Sequence, residues 1–182
     1  PVTVPVLAPI TGFLALEGGA QRNGALLAAD HAGDGMIKAD VQDTTTAPAV
    51  AVSAFRRALR DGLPPAMLGP ILGSQMLALL PLADAEGVPI LTISGTAKLT
   101  AMGSPNIFRF FPGDVVVKAA HARYAVEDLG IKAPAIIFQT TAYGQSGRAE
   151  LVANLKKLGV TPVYEEGVPP SAKDLTSALA KA

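Results

Sequence analysis

The chain has 182 residues, with 15 Lys and Arg against 15 Asp and Glu, so its formal net charge is zero. It is 49% hydrophobic, has only 5% aromatic residues and contains no cysteine. This composition supports a buried core, lacks the basic excess of a nucleic-acid-binding protein, and excludes thiol catalysis, zinc-thiolate sites and disulfide bonds. No apolar run approaches the roughly 20 residues of a membrane-spanning helix, so we expect no direct membrane insertion.

Short apolar runs alternate along the chain with segments of helical periodicity. Strands are expected at 3–9, 36–43, 65–70, 88–93, 106–111, 133–140 and 160–167. Helices are expected at about 19–31, 47–62, 74–87, 113–130, 143–159 and 171–182, with Leu26 and Leu27 on the apolar side of the first and Ser171 capping the last. This alternation predicts βαβ units and an α/β fold with a parallel sheet.

A boundary between two domains is expected at the sequence "FRFFPGD", residues 108–114. A predicted strand ends there at a Pro-Gly turn, and the series of strands and helices then starts again. We therefore expect one domain over residues 1–114 and a second over residues 115–182.

Two turns of small residues follow successive predicted strands, Gly73-Ser74 and Ser94-Gly95-Thr96. In an open parallel sheet, ligands bind beyond the carboxyl ends of the strands, where these turns are expected. Each turn is also expected at a helix N-terminus, where free amide groups and the helix dipole favour an anion such as a carboxylate. The alternative is structural, because Ser and Thr before helices also serve as caps and Gly as a turn residue.

Constellations that carry catalysis or bind metals are not indicated. His31 and His121 lack the spacing of a zinc-binding helix, and "GQSG" is one residue short of a nucleophile elbow. Ser94 and Lys98 are four residues apart rather than the three of S-x-x-K. We therefore expect no catalytic residue, no metal and no cofactor, and the protein is not expected to be an enzyme.

Asp43 follows the second predicted strand, at the place where a dinucleotide-binding fold holds a ribose. The glycine fingerprint of that fold is absent, so we interpret Asp43 as a loop or cap residue.

The chain resembles the type I periplasmic binding proteins of the branched-chain amino-acid class (leucine, isoleucine and valine), which serve ABC transporters. The matching segments, in order, are "APITGFLALEGGAQRNGALLAAD", "QDTTTAPAVAVSAFRRAL", "GPILGSQ", "GVPILTISGTAKLT", "NIFRFFPGD", "IIFQTTAYGQSGRAELVANLKKLG" and "DLTSALAK". The resemblance implies two Rossmann-like lobes with a ligand cleft between them. It makes residues 1–114 the N-terminal ligand-binding lobe and residues 115–182 the first part of an incomplete second lobe, so the chain corresponds to the N-terminal part of such a protein.

The resemblance also implies roles for residues at the two turns. Gly73 stands where the family holds the ligand carboxylate, usually through a Ser, and Ser74 is next to it. In the turn around Gly95, the Ser94 carbonyl would accept a hydrogen bond from the ligand ammonium, and Thr96 would donate its hydroxyl and amide to the carboxylate.

Two further positions match ligand-contacting residues of the family. Tyr143 corresponds to an aromatic residue of the second lobe that closes over the ligand. Glu17 stands where the family often has an aromatic residue; it either faces a cationic or polar group of the ligand or points to solvent.

The function implied by the resemblance is that of an extracytoplasmic solute-binding protein of an ABC transporter. Its partners would be a small-molecule ligand, namely an amino acid or an aromatic or aliphatic carboxylate, and a membrane permease, with no nucleic acid. The expected location is periplasmic, or extracellular with a membrane anchor. The chain starts at Pro1 without a signal peptide, which we interpret as processing or trimming. The alternative is a ligand-sensing effector domain of a receptor or transcription regulator with the same fold.

Overall fold

The structure is a computed structural model. It describes the backbone of residues 1–182 and the burial of every residue except residue 33. Its strands are β1 Val2–Ala8, β2 Ile37–Asp43, β3 Met67–Leu68, β4 Ile90–Thr92, β5 Ile107–Arg109, β6 Ala135–Gln139 and β7 Tyr164–Val168. Its helices are α1 Ala15–Gly33, α2 Pro48–Ala58, α3 Gly73–Glu86, α4 Lys98–Ala101, α5 Asp114–Arg123, α6 Ala142–Lys157 and α7 Thr176–Lys181. Strands and helices alternate and all strand pairs are parallel, so the predicted α/β class is confirmed.

The chain packs as two compact units. Unit 1 comprises residues 1–94 and 99–111, and unit 2 comprises residues 95–98 and 112–182. The domain boundary predicted after Asp114 stays a prediction, because compact packing of a segment does not test whether it folds independently.

Unit 1 contains a five-stranded parallel sheet in the order β2-β1-β3-β4-β5. After β2 the chain returns past β1 to form β3, so the first strand lies inside the sheet and β2 forms one edge. The neighbouring strands β3 and β4 pair in the register Leu68 with Leu91. Because the strands are parallel, the turns that follow β3 and β4 lie at the same edge of the sheet.

The core of unit 1 forms where α2 and α3 pack on one face of this sheet. Side chains from both helices and from three strands are fully or almost fully buried there, including Phe55, Leu79, Leu7, Met67 and Ile90. Apolar residues recur at helical spacing in α3, so that its buried side rests on the sheet.

The long helix α1 approaches β1 through small residues. A Cβ atom added at Gly18 would overlap the carbonyl group of Pro9, so only glycine permits this approach. Leu26 and Leu27, predicted on the apolar side of this helix, are 43% and 57% exposed. That prediction is wrong, because backbone approach at small residues decides which side of the helix packs on the sheet.

Unit 2 repeats the strand-helix-strand arrangement with β6 and β7 paired in parallel. Its core includes Leu155 of α6, Ile136 of β6 and Ala122 of α5. A Cβ atom at Gly144 would overlap the carbonyl group of Gln139, so α6 meets its preceding strand through a glycine in its first turn, as α1 does.

Three predicted helices differ from those observed. The helix that follows the turn at residues 94–96 begins only at Lys98 and is four residues long, so this turn is not at the end of a helix that could supply a dipole. The helix predicted to begin near Ser171 begins at Thr176, whose amide donates to the Asp174 carboxylate. The helix predicted over 113–130 is α-helical to Arg123 and continues as a π-helical turn, Tyr124–Asp128.

Candidate functional site

The first sequence-predicted turn lies at the beginning of α3. Leu72 precedes the helix in an extended conformation, Gly73 is buried and Ser74 is partly buried. The first backbone amide that donates a hydrogen bond to a preceding carbonyl group is that of Gln75, which donates to the Leu72 carbonyl oxygen at 3.1 Å. The amides of Gly73 and Ser74 thus lack an intrahelical acceptor at the positive end of a 14-residue helix. No side chain caps this end, so the capping alternative is not observed for Ser74.

A buried glutamine joins this helix to the loop after β2. The carboxamide nitrogen of Gln75 donates to the carbonyl oxygens of Thr44, Thr45 and Ala47 at 2.8, 3.3 and 3.3 Å. Its oxygen accepts from the Thr44 hydroxyl at 3.2 Å. Both Gln75 and Thr44 are completely buried, so the two bonds between them form without competition from water. They fix the beginning of α3 against a second loop at the same edge of the sheet.

Thr92, at the end of β4, holds the second predicted turn beside the first. Its hydroxyl donates to the Pro70 carbonyl oxygen at 3.3 Å and accepts from the Ser94 amide at 3.0 Å. The Ser94 side chain is completely buried, and its hydroxyl oxygen has no hydrogen-bond partner among the described residues. A buried hydroxyl therefore stands unsatisfied at the edge of the sheet where α3 begins.

Gly95 and Thr96, the next two residues, belong to unit 2. The Gly95 carbonyl oxygen accepts from the Asp114 amide at 2.7 Å, which attaches the turn to the start of α5. Thr96 is buried, and the amide of Ala97 donates to the Ser146 hydroxyl at 2.9 Å. The turn is thus fixed from two helices of unit 2.

Tyr143 is in the first turn of α6 and is brought next to Gly95. A Cβ atom at Gly95 would lie 3.2 Å from Cε2 of the tyrosine ring, so the ring packs against the glycine backbone. The ammonium of Lys118 lies 5.3 Å from the ring centroid, in range of a cation–π interaction, and 3.9 Å from Asp114 Oδ1. Tyr143 as a residue is 42% exposed, so part of it is accessible to another molecule.

Glu17 does not join either group. It lies in the first turn of α1, and its side chain is exposed to solvent. This exposure does not distinguish the two alternatives for Glu17, which stay predictions. Within the described part of the chain, no cluster of three or more His, Cys, Asp or Glu residues could hold a metal ion.

Asp43, interpreted from the sequence as a loop or cap residue, organises the loop after β1. Its Oδ1 accepts from the amides of Ile10, Thr11 and Thr45 at 2.9, 3.2 and 2.7 Å, and its Oδ2 accepts from the Thr11 hydroxyl at 2.6 Å. Burial raises the pKa of Asp43, but the hydrogen bonds from Thr11, Thr45 and Ile10 together outweigh it and lower the pKa below its ordinary value. The ionised side chain therefore joins the loops after β1 and β2.

The structure thus groups the predicted residues within each unit. Gly73, Ser74 and Ser94 lie at one edge of the unit 1 sheet, and Gly95, Thr96 and Tyr143 cluster in unit 2. Sequence reasoning missed the supporting residues Gln75, Thr92 and Lys118. A signal existed only for Gln75, which stands four residues before the buried Leu79 and thus occupies a polar position on the apolar side of a helix.

Comparison with known proteins identifies relatives of this arrangement. The family model described as "Periplasmic binding protein" matches residues 1–182. A Leu/Ile/Val-binding protein of Rhizobium johnstonii is 27% identical over 97% of this chain and 50% of its own length. The chain spans about half the length of the curated relatives it matches.

Solved structures share the fold. A leucine-binding protein from Thermotoga maritima superposes with a TM-score of 0.89 at 21% identity, covering 100% of this chain and 53% of its own. A solute-binding protein of an ABC transporter from Rhodopseudomonas palustris, solved with 3,4-dihydroxybenzoic acid, gives a TM-score of 0.90 at 23% identity, covering 99% of this chain and 50% of its own.

Proposed function

Because the chain belongs to the periplasmic binding protein family, we propose that the protein captures an amino acid or a related small carboxylate and delivers it to the membrane permease of an ABC transporter. The relatives are named as binding proteins for leucine, isoleucine and valine, and one similar structure holds an aromatic acid. Binding would be noncovalent, without a reaction. No observation favours the alternative of a sensory effector domain.

The observation that carries this proposal is the buried hydroxyl of Ser94. A buried polar group without a partner costs about 1–3 kcal/mol, so folds retain one only where something compensates for it. Ser94 lies at the edge of the sheet where the amides of Gly73 and Ser74 have no acceptor within their own helix. One ligand carboxylate accepts from such amides and from a hydroxyl, with no full positive charge required.

In unit 2, we assign Tyr143 the role of an aromatic contact and Gly95-Thr96 the role of a turn that presents backbone groups to the ligand. Two observations support this role for Tyr143. The residue is partly exposed, and its ring is held in place by contacts with Gly95 and Lys118. We assign Glu17 no contact with the ligand. Closure of two lobes around the ligand stays a prediction.

We place the protein outside the cytoplasm, in the periplasm, as the family description suggests. Among the helices of the described chain, none combines the length and the apolar character needed to span a bilayer.

Isothermal titration calorimetry of the intact protein tests the proposal, with leucine, isoleucine, valine, benzoate and 4-hydroxybenzoate as ligands. We expect saturable binding of at least one compound, and about tenfold weaker binding in Ser94→Ala, because one hydrogen bond to a charged group is lost. The matched control is Ser53→Ala, whose hydroxyl only donates to the Ala49 carbonyl oxygen on the exposed side of α2. The proposal is wrong if none of these compounds binds, or if Ser94→Ala binds as tightly as Ser53→Ala.

A further inference from the structure

A polar cavity lies in unit 1, and none of its lining residues belongs to the candidate site described above. It encloses about 370 Å³ between β1, β2, the end of α2 and the loop at 61–65. The polar groups in its wall include Asp40 and Gln42 from β2, Arg57 from α2, and Asp61 from the loop. This volume is in the range of cavities that hold small molecules.

The strand register explains why polar side chains meet here. Asp40 pairs with Pro5 and Gln42 pairs with Leu7, so both polar residues lie on the face of the sheet that carries Leu7 and packs against α2. β2 is an edge strand, and the cavity lies where α2 ends. Asp40 and Gln42 thus occupy a core-facing side of the sheet that the helix leaves uncovered.

One acceptor in this wall has no donor. The Gln42 carboxamide nitrogen donates to Asp40 Oδ2 at 2.9 Å, whereas its oxygen is buried and has no hydrogen-bond partner among the described residues. Exchanging the two carboxamide atoms would set an oxygen against the carboxylate, so Asp40 fixes the orientation. Gln42 thus acts on the cavity by holding Asp40, whereas its buried oxygen does not open into the cavity.

The charged side chains in the cavity wall favour a cationic ligand. Asp40 and Asp61 form no ion pair with Arg57 in the described part of the chain. The wall therefore carries two carboxylates and a single guanidinium. The end of α2, where Ala58 also lines the cavity, adds the negative pole of the helix dipole.

We propose that this cavity is a second small-molecule site, which binds a compound carrying a primary ammonium group. The ammonium donates to the carboxylates of Asp40 and Asp61, and the Gln42 carboxamide nitrogen, which donates to Asp40 Oδ2, holds the first of them in place. Such an ammonium comes either from a simple amine or from an amino acid, whose carboxylate would then face Arg57. The inference does not depend on the function proposed for the turns at Gly73 and Ser94.

The test uses three matched compounds with the intact protein: isopentylamine, leucine, and 4-methylpentanoate, which lacks the ammonium. Nuclear magnetic resonance follows the backbone amide signals of Asp40, Asp61 and Gly62, which line the cavity. We expect isopentylamine to shift these signals saturably and 4-methylpentanoate to leave them in place. Asp61→Asn, in an exposed loop, should weaken amine binding about tenfold, because an ammonium bond to a charged acceptor is lost. Gln42→Leu should weaken it as well, because Asp40 loses the carboxamide that holds its carboxylate in place.

Two arginine variants distinguish the sources of the ammonium. If the ligand is an amino acid, Arg57→Gln weakens the binding of leucine at this cavity and leaves the binding of isopentylamine unchanged. If the ligand is a simple amine, Arg57→Gln changes the binding of neither compound. Arg56→Gln, on the neighbouring residue that does not line the cavity, is the control. Ser94→Ala leaves the amine affinity unchanged, so failure here and failure of the proposed function are separate outcomes. The inference is overturned if isopentylamine gives no saturable shift, or if Asp61→Asn and Gln42→Leu both bind it like the wild type.

Discussion

The ring of Tyr143 packs against the backbone of Gly95, so that a single added methyl group on the glycine would lie 3.2 Å from the ring and 3.4 Å from Asp114 Oδ1. The two residues are 48 positions apart in the chain and were both predicted as ligand contacts. Their contact lies within unit 2 and positions the aromatic side chain beside the turn that follows β4.

Gly95→Ala is expected to displace the Tyr143 ring by a few tenths of an ångström, because the ring is half-exposed and can yield. Overpacking of this kind costs about 1 kcal/mol. We therefore expect a small loss of thermal stability and a several-fold weaker ligand affinity, measured by calorimetry. Gly19→Ala, where an added Cβ meets nothing within 4 Å, is the control. Unchanged affinity in Gly95→Ala would argue against a role of Tyr143 in binding.

Adjacent glycines of α1 should respond oppositely to the same substitution. Gly18→Ala forces a Cβ into the carbonyl group of Pro9, and we expect a loss of about 3 kcal/mol in the free energy of unfolding. Gly19→Ala meets no atom and gains about 0.5–1 kcal/mol, since alanine has the higher helix propensity. Urea denaturation measures both. Equal effects in the two variants would show that α1 does not pack on β1 as closely as described.

The charge of Asp43 should make stability depend on pH. Its folded-state pKa is lowered, so the stabilisation is fully present above the ordinary value of 3.8 and is lost as the pH falls through the folded-state pKa. Asp43→Asn keeps acceptors for the amides of Ile10, Thr11 and Thr45 but loses the charge, and should cost about 1 kcal/mol at neutral pH.

Denaturation curves of wild type and Asp43→Asn, recorded from pH 7 downward, check this expectation. The difference between the two proteins should shrink below the ordinary pKa of an aspartate and vanish once both side chains are neutral. Asp43→Ala, which removes every acceptor, should remain destabilised at all pH values. A wild-type advantage over Asp43→Asn that does not change with pH would contradict the assignment.

Gln75 is expected to be the costliest polar side chain to replace at this edge of the sheet. Gln75→Leu keeps most of the volume but leaves the buried Thr44 carbonyl oxygen without its donor and removes the part-buried bonds to Thr45 and Ala47. We expect a loss of about 3 kcal/mol, at the upper end for buried unsatisfied groups, and weaker ligand binding because the beginning of α3 loses its support. Gln145→Leu, at an exposed position of α6, should be nearly neutral. Thermal denaturation compares them, and similar melting temperatures would exclude the supporting role.

Local patterns were sufficient to predict the alternation of strands and helices and the two turns of small residues. Apolar runs bounded by Gly and Pro mark strands, and helical spacing marks α3 and α6, since each signal depends only on neighbours within a few positions. The same local reasoning failed for α1, where Leu26 and Leu27 are exposed. There the close approach at Gly18 to Pro9, a contact with another element, overrides the pattern.

The sequence by itself determined the fold class and placed Gly73, Ser74, Ser94 and Thr96 after two successive strands, although Gly73 and Ser74 are the first two residues of α3. Only the tertiary structure decided that the Ser94 hydroxyl is buried without a partner among the described residues, and that Gln75 joins α3 to the loop after β2 across 31 residues. The reason is physical: periodicity and turn chemistry are properties of consecutive residues. Burial and hydrogen-bond satisfaction depend instead on strand order and register, which bring distant residues together.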